Sequence, residues 1–333
     1  MLWIGGCLVF GCGSSAPAAA GEAGTSGGGG STVTDSNGNA ASNGSNAGPQ
    51  IGGCSVFPAD NAWNLDVSTL PLHSDSDTLI DAIGRDTHVH PDFGTAWEGA
   101  PIGIPYVTVG SSQSPVPIVF TAYADESDPG PYPVPRDAPI EGGAQSDGDR
   151  HVLAIDTDAC RLYELDRAFV QSDGSWQADS GAVFDLSSDQ PRPMGFTSAD
   201  AAGLPIFPGL VRYDEVVQQG ALLHAVRFTV QHSRRGLVAP ARHYASSSDA
   251  TNLPPMGLRL RMKQSYDCSG YSDSARVICA GLKRFGLIVA DNGSNWYLSG
   301  APDPRWDDDA LGDLKNITGN AFEVVDTGPI QTY

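Results

Sequence analysis

The sequence predicts a mainly β protein, with a β-sandwich or jelly-roll-like domain and a few short helical insertions. Short runs rich in β-branched and aromatic residues recur along the chain, bounded by Gly and Pro, which number 40 and 24 in 333 residues. Helical periodicity is confined to a few short segments, and strands do not alternate with helices. This pattern favours packed sheets over a fold built from βαβ units.

The first 53 residues are predicted to serve export rather than folding. Residues 1–12 are apolar, too short to span a bilayer, and end in Val9-Phe10-Gly11-Cys12, which resembles a lipobox with Cys12 as the lipidation site. No Lys or Arg precedes Arg85, so the basic region of a signal peptide is missing. Residues 13–53, rich in Gly, Ser, Ala and Asn, are predicted to be a disordered tether. We expect a cell-surface lipoprotein held to the membrane by its lipid anchor only, or alternatively a secreted protein.

Residues 54–333 are predicted to form a single β-rich domain. It begins with a short helix over residues 76–84, which places Leu79, Ile80 and Ile83 on its buried side. Further helices are expected over residues 198–202, 274–285 and 308–317. The predicted strands cover residues 104–109, 116–124, 151–156, 160–169, 176–186, 222–230, 237–244 and 258–263. Residues 157–159 mark a hairpin turn, and residues 125–148 form a long acidic loop.

Four cysteines fall within this domain, namely Cys54, Cys160, Cys268 and Cys279. Their spacing matches neither a C-x-x-C redox pair nor a zinc site, and an exported protein with four cysteines is expected to form two disulfides. Cys268 and Cys279 would close a short loop, leaving Cys54 and Cys160 to join the start of the domain to a central hairpin. The sequence alone allows three pairings.

The charge distribution excludes one class of partner and indicates another. The net charge is −20, which argues against nucleic acid because phosphate binding requires a basic surface. Residues 224–263 nevertheless carry seven of the 19 Lys and Arg residues and a single acid, Asp249. Arg259 and Arg261 share one strand face there, and with Arg242 they are expected to bind acidic sugar groups. The alternative is that these arginines pair with the surplus carboxylates.

Carboxylates near predicted strand ends are the candidate catalytic groups. Asp92 follows a His-x-His segment, Glu126 lies in the acidic loop, and Asp291 follows the apolar run 287–290. His243 is the candidate base. Glycoside hydrolysis requires two carboxyl groups roughly 5 to 10 Å apart. The alternative for each acid is a structural role in a turn, because Asp and Asn side chains bond their own backbone there.

The residues expected to bind the substrate are Trp97, Trp296, Asn292, Arg242, Arg259 and Arg261. The sequence therefore predicts a monomeric, exported glycoside hydrolase acting on extracellular polysaccharide, without a cofactor. One alternative is a non-catalytic glycan-binding or adhesion module. Another is a polysaccharide lyase in which arginines neutralise a uronate and His243 or Tyr244 is the base. Residues 88, 90 and 92 have a spacing suited to metal ligation, but Pro91 favours a loop, and no metal site is expected.

Five segments resemble those of a family of exported bacterial proteins. They are FPADNAWN (57–64), HPDFG (90–94), YADESDPG (123–130), ARHY (241–244) and ADNGSNWY (290–297). The resemblance extends over residues 54–326. It implies an exported protein with a link to polysaccharide-rich surroundings, and it transfers no catalytic residues.

Overall fold

The computed structural model describes residues 48–333. The lipobox-like segment, Cys12 and most of the predicted tether lie outside the described residues. The described residues belong to one compact unit. Its fold begins before the predicted boundary at Cys54, because Gln50–Ile51 pairs with Cys54–Ser55 as an antiparallel ribbon. No helix within residues 48–333 is long and apolar enough to cross a membrane.

The predicted fold class is confirmed, since strands dominate and helices are few and short. The strands are β1 (Gln50–Ile51), β2 (Cys54–Ser55), β3 (His90–Asp92), β4 (Ala96–Trp97), β5 (Ala100–Pro101), β6 (Tyr106–Val109), β7 (Ile118–Phe120), β8 (Val152–Asp156), β9 (Arg161–Asp166), β10 (Phe169–Val170), β11 (Trp176–Ala178), β12 (Ser180–Asp185), β13 (Val226–Val230), β14 (Arg259–Met262), β15 (Leu287–Asn292), β16 (Tyr297–Ser299) and β17 (Phe322–Val324). The α-helices are α1 (Ser76–Ile83), α2 (Asp273–Arg284) and α3 (Asp308–Gly312). Short 3-10 turns occupy Phe207–Gly209, Asp313–Asn316 and Gly319–Ala321, and a π-helical turn occupies Asp214–Gln219.

Two sheets form the body of the domain. A six-stranded sheet has the order β17-β14-β15-β13-β16-β3, and a four-stranded sheet has the order β12-β9-β8-β6. The pairs β13–β15, β16–β3 and β6–β8 are parallel, whereas their other neighbours are antiparallel. A three-stranded sheet, β10-β11-β7, and the ribbon β4-β5 complete the set.

Side-chain alternation in β8 explains how the four-stranded sheet separates two cores. Leu153 and Ile155 join the large core, which also contains α1, α2 and the six-stranded sheet. Val152 and Ala154 point to the other face, where Tyr132 and Trp176 form the centre of a smaller core. The predicted buried side of α1 is confirmed.

Both disulfides form between the pairs favoured by the sequence. Cys54 is bonded to Cys160, which ties the ribbon β1–β2 to the turn before β9. Cys268 is bonded to Cys279, which ties α2 to the loop that precedes it. The hairpin predicted around residues 157–159 is also confirmed as the β8–β9 pair.

Two predicted elements are absent from the described fold. Residues 237–244 form no strand and residues 198–202 form no helix, because these segments bond to each other instead. The backbone N–H groups of Arg242 and His243 both donate to the carbonyl oxygen of Ala202. Pro240 has no N–H to contribute to a sheet ladder. These two segments meet beside the site described below.

Candidate functional site

A cluster of ionisable side chains lies where the two main sheets meet. Its members come from both sheets and from the loops between them, and we call them the acid cluster: Asp92, Glu141, His151, Asp166, Asp200, Arg227 and Asp291. Arg227, on β13, lies at its centre. Its Nε donates to Asp200 Oδ2 at 2.8 Å, and its Nη2 lies 3.2 Å from Asp291 Oδ2. Its Nη1 donates to the Ser299 hydroxyl at 2.7 Å.

A β-bulge brings Asp291 onto the same face as Arg227. In the parallel pair of β13 and β15, Phe228 opposes Val289, but Thr229 opposes Asp291 and not Ala290. A regular ladder would place Asp291 opposite Val230, on the other face of the sheet. The extra residue at Ala290 therefore turns the Asp291 carboxylate toward Arg227, as bulges commonly do beside functional sites.

His151 is held by oxygen atoms at both ring nitrogens. Nδ1 lies 2.6 Å from Glu141 Oε2, and Nε2 lies 2.9 Å from the carbonyl oxygen of Ala199. Because both neighbours are acceptors, both nitrogens must donate and the ring is an imidazolium. Burial alone would lower the pKa of His151, but the charge and hydrogen bond of Glu141 raise it to about 10.

The carboxyl groups of the cluster divide into two kinds. Burial would raise the pKa of Glu141, but the charge and hydrogen bonds of His151 outweigh it and hold that pKa below its usual range. Burial and the neighbouring Asp200 raise the pKa of Asp291 to about 7, against the opposing charges of Arg227 and His151. Burial raises the pKa of Asp166 to about 6. One cluster thus holds an ionised carboxylate, that of Glu141, and a carboxyl that keeps its proton up to near neutral pH, that of Asp291.

The cluster has a buried base and a solvent-accessible rim. The side chains of Asp200 and Arg227 are 0% and 5% exposed. Those of Asp291, Glu141 and Asp166 are 23%, 24% and 29% exposed. A ligand arriving from solvent would therefore meet these three carboxyl groups first.

Asp92 lies at the edge of the cluster on β3. Its backbone pairs with Ser299, whose hydroxyl accepts from Arg227. Burial raises the pKa of Asp92, and the charge of His90 opposes that rise. The charges of Glu141 and Arg227 also act on this carboxyl. Two predicted catalytic acids, Asp92 and Asp291, thus lie on the two sides of Arg227 in the described fold, Asp291 in direct contact with it and Asp92 through the strand pairing with Ser299.

The other two predicted catalytic residues, Glu126 and His243, lie outside the acid cluster. Glu126 Oε2 accepts the Thr197 N–H at 2.8 Å, and His243 Nδ1 lies 2.7 Å from the carbonyl oxygen of Ala201. Within residues 48–333, no hydrogen bond or ion pair joins either side chain to the acid cluster. Both bond instead to the segment that carries Asp200, so they are placed apart from Asp92 and Asp291, and their catalytic role stays a prediction.

Arg259 and Arg261 are structural residues, contrary to the expectation that they bind substrate. Arg259 is 3% exposed and donates to the carbonyl oxygens of Ala62 and Phe285, at 2.7 and 2.9 Å. Arg261 Nε pairs with Glu323 at 2.8 Å, and its Nη1 donates to Val67. Their donors are occupied by carbonyl oxygens of residues 62–70, by Phe285 and by Glu323, none of which strand periodicity could indicate.

Trp296 is also a core residue, and its expected role in binding sugar is wrong. It is fully buried, stacks between Phe228 and Phe322, and donates from Nε1 to the Gly84 carbonyl oxygen at 2.8 Å. Asn292 is the last residue of β15, and its side chain is used within the fold, since it donates to Val230 O and accepts from Ser233.

Two predicted binding residues remain near solvent. Trp97, on the β4–β5 ribbon, is 71% exposed. Arg242 lines a cavity of about 210 Å³, and its Nε donates to the Arg192 carbonyl oxygen at 2.8 Å. The remaining substrate-binding prediction therefore depends on these two residues.

The His-x-His-x-Asp segment does not converge on one point. His88 Nδ1 bonds to the Lys315 carbonyl oxygen, whereas His90 stacks on Tyr297. The segment is a strand and not the predicted loop, because β3 is at the sheet edge, where a proline is tolerated.

In the described part of the chain, ligand atoms of Glu141, Asp149 and His151 lie within 4.8 Å of one another. The ion pair of His151 with Glu141 accounts for two members of this group, and Asp149 is the exposed third.

Sequence reasoning missed five members of the acid cluster: Glu141, His151, Asp166, Asp200 and Arg227. Arg227 gave one usable signal, since it interrupts the otherwise apolar strand VRFTV and a charge there must be paired if it is buried. His151 gave another, because it directly precedes the buried strand β8.

A scan against protein-family models and searches of curated proteins and of solved structures find no match to this chain. Its function must therefore be argued from the chemistry of the site.

Proposed function

We propose that the protein is an exported glycoside hydrolase whose acid–base chemistry is carried out by the acid cluster. The observation that carries this proposal is the contrast between Asp291, with a pKa near 7, and Glu141, which is held ionised beside His151. Glycoside hydrolysis needs one carboxylic acid to protonate the leaving oxygen and one carboxylate to act as base or nucleophile.

Each role follows from the surroundings of the group. Asp291 is about half protonated at neutral pH and partly exposed, so it can donate a proton to a glycosidic oxygen. Glu141 is the carboxylate that would activate water or attack the anomeric carbon. Arg227 limits the rise of the Asp291 pKa, and His151 keeps Glu141 ionised. Neither of these cations needs to touch the sugar.

The substrate class and location are supported by other features. Two disulfides fit an oxidising compartment outside the cytoplasm. The resemblance to exported bacterial proteins implies polysaccharide-rich surroundings, and the exposed Trp97 ring offers a face on which a sugar can stack. We infer that the substrate is an extracellular polysaccharide.

The lyase alternative is less well supported, because most of the residues it would use are bonded within the fold. Arg259 and Arg261 are bonded to backbone and Glu323, and His243 is bonded to Ala201. Tyr244, the other base it allowed, donates its hydroxyl to the Tyr333 carbonyl oxygen at 2.9 Å, and Arg242 alone of its arginines lines a cavity in the described fold. The non-catalytic alternative remains the second candidate, because ion pairing alone could maintain Arg227 with Asp200 and Asp291.

The full-length protein should be incubated with neutral and acidic polysaccharides, and new reducing ends measured. We expect product from the wild type and from Asp86→Asn, an exposed matched control. Asp291→Asn and Glu141→Gln should each lose about 10²-fold or more of that activity. Product carrying a ring double bond would indicate a lyase. Binding without product would indicate a binding module and would refute the proposal.

A further inference from the structure

A second feature of the molecule is an open cleft of about 680 Å³ beside the β4–β5 ribbon. Its walls include Tyr106, Pro139, Arg212, Tyr213, Asp214 and Asp303. This volume lies within the range of roughly 300 to 1,000 Å³ that ligand clefts occupy. Trp97, on the adjoining ribbon, leaves 71% of its surface exposed.

Arg212 carries hydrogen-bond donors that nothing in residues 48–333 satisfies. Its side chain is 1% exposed, yet Nε and Nη1 have no hydrogen-bond partner. Nη2 is bonded to Glu215, and the nearest carboxylate to Nε, that of Asp214, lies at 3.6 Å, beyond hydrogen-bond distance. Buried charged donors are normally bonded, so donors left open at the wall of a cleft indicate a ligand with acceptor oxygens.

The charges around the cleft favour an uncharged ligand. Arg305 is already bonded through Nε and Nη2 to the carboxylate of Asp303, at 2.8 and 2.6 Å. The positive charge of Arg212 is balanced by Glu215, and Asp214 adds a further negative charge. A uronate or phosphate would meet this excess of carboxylate, whereas a neutral sugar would not.

The cleft also has the surfaces that bind sugar rings. The Tyr213 ring lies at its wall, where the Arg305 guanidinium is 4.3 Å from the ring centroid and the Trp306 ring packs against it at 5.2 Å between centroids. Tyr106 and several prolines add apolar contact area. The Asp214 side chain is 30% exposed and can accept a hydrogen bond from one sugar hydroxyl. The neighbouring hydroxyl of the same sugar can accept a hydrogen bond from Arg212.

We propose that this cleft binds a neutral sugar unit of the polysaccharide, with Arg212 and Asp214 bonding adjacent hydroxyls and Trp97 stacking on the chain. The inference rests on the proposed function, because three segments lead directly from the cleft to the acid cluster. Thr95 follows Asp92 by three positions, Pro139 precedes Glu141 by two, and Ala301 follows by two positions Ser299, whose hydroxyl is bonded to Arg227. An extended chain spans at most about 3.3 to 3.6 Å per residue, so these separations are short enough for one bound oligosaccharide to reach both places.

The test is calorimetric titration of the full-length Asp291→Asn protein, which can bind without consuming the ligand. The probes are neutral gluco-, manno- and galacto-oligosaccharides and, for comparison, an oligogalacturonate. We expect at least one neutral series to bind and the uronate to bind at least tenfold more weakly. Asp214→Asn and Trp97→Ala, made in the same background, should each weaken binding about tenfold.

Two controls keep the result interpretable. Tyr123→Ala removes an aromatic ring that is 48% exposed away from the cleft, and it should leave affinity unchanged. Asp214→Asn changes a partly exposed side chain and Trp97→Ala an exposed one, so the folding of both variants should be checked directly, and the buried Arg212 is left intact. Unchanged affinity in both cleft variants, or tighter binding of the uronate, overturns this inference even if hydrolysis is found. Binding that requires the cleft, with no hydrolysis by the wild type, supports the cleft and refutes the catalytic proposal alone.

Discussion

Replacing Arg227 with methionine should destabilise the protein more than any single surface change. The substitution keeps a long apolar chain but removes a guanidinium that bonds Asp200, Asp291 and Ser299. Asp200 is 0% exposed, so the variant leaves a carboxylate buried without its partner. Breaking a buried pair in this way costs about 3–5 kcal/mol of unfolding free energy.

The pH dependence of this loss has a definite sign. Arg227 lowers the pKa of Asp200 and of Asp291, so removing it raises both further above the unfolded value near 4. A carboxyl whose folded pKa is raised loses stability as the pH rises above its unfolded pKa. Because the wild-type carboxyls ionise only as the pH passes their folded pKa, which is about 7 for Asp291, the difference between the wild type and Arg227→Met should be smallest at acid pH and should increase as the pH rises through about 7.

The assay is chemical denaturation followed by tryptophan fluorescence at several pH values, with both disulfides intact. Arg235→Met is the matched control, because Arg235 and Asp249 form an ion pair with side chains 50% and 73% exposed. Such a pair contributes about 0–1 kcal/mol. An Arg227→Met loss below about 1 kcal/mol at pH 7, or a loss independent of pH, would show that Asp200 and Asp291 are not held as described.

Three further predictions concern other parts of the domain. The His151 pKa is about 10 in the folded state and about 6.5 in the unfolded state. The variant His151→Gln should therefore lose most unfolding free energy below pH 6.5 and should approach the wild type as the pH passes 10. A stability difference between the two proteins that does not change with pH would contradict this. Replacing Cys54 and Cys160 by serine should lower the unfolding free energy by about 4.8 kcal/mol, because this bridge spans 106 positions. Replacing Cys268 and Cys279 should lower it by about 2.8 kcal/mol, because that bridge spans 11. Equal shifts in denaturation midpoint would refute that difference. Trp296→Ala should cost about 3–5 kcal/mol, whereas Trp97→Ala should leave stability within about 0.5 kcal/mol, and a thermal melt of each variant tests both values.

The features that depend on nearby residues could be predicted from the sequence. The helix α1 followed from the spacing of Leu79, Ile80 and Ile83, and the β8–β9 hairpin followed from its turn residues. The disulfides were among the few pairings that four cysteines allow. In each of these cases a local pattern fixes the outcome.

The acid cluster could not be predicted, because its members are far apart in the chain. Asp291 faces Arg227 only because of the bulge at Ala290, and strand alternation alone puts it on the opposite face. Arg259 was expected to face a ligand, because nothing in the sequence of its own strand shows that its guanidinium would donate to the carbonyl oxygen of Ala62. The choice of partners at this distance depends on the assembled fold.

The measurement that tests the catalytic proposal most directly is the pH profile of polysaccharide hydrolysis by the wild type and by Asp291→Asn. With Asp291 as the acid, wild-type activity should fall as the pH rises past about 7, because the donated proton is lost. The activity of Asp291→Asn should be lower by about 10²-fold or more, and it should no longer decline above pH 7. The control Asp86→Asn should have the activity and the pH profile of the wild type. An Asp291→Asn protein with wild-type activity and an unchanged profile would contradict the assignment.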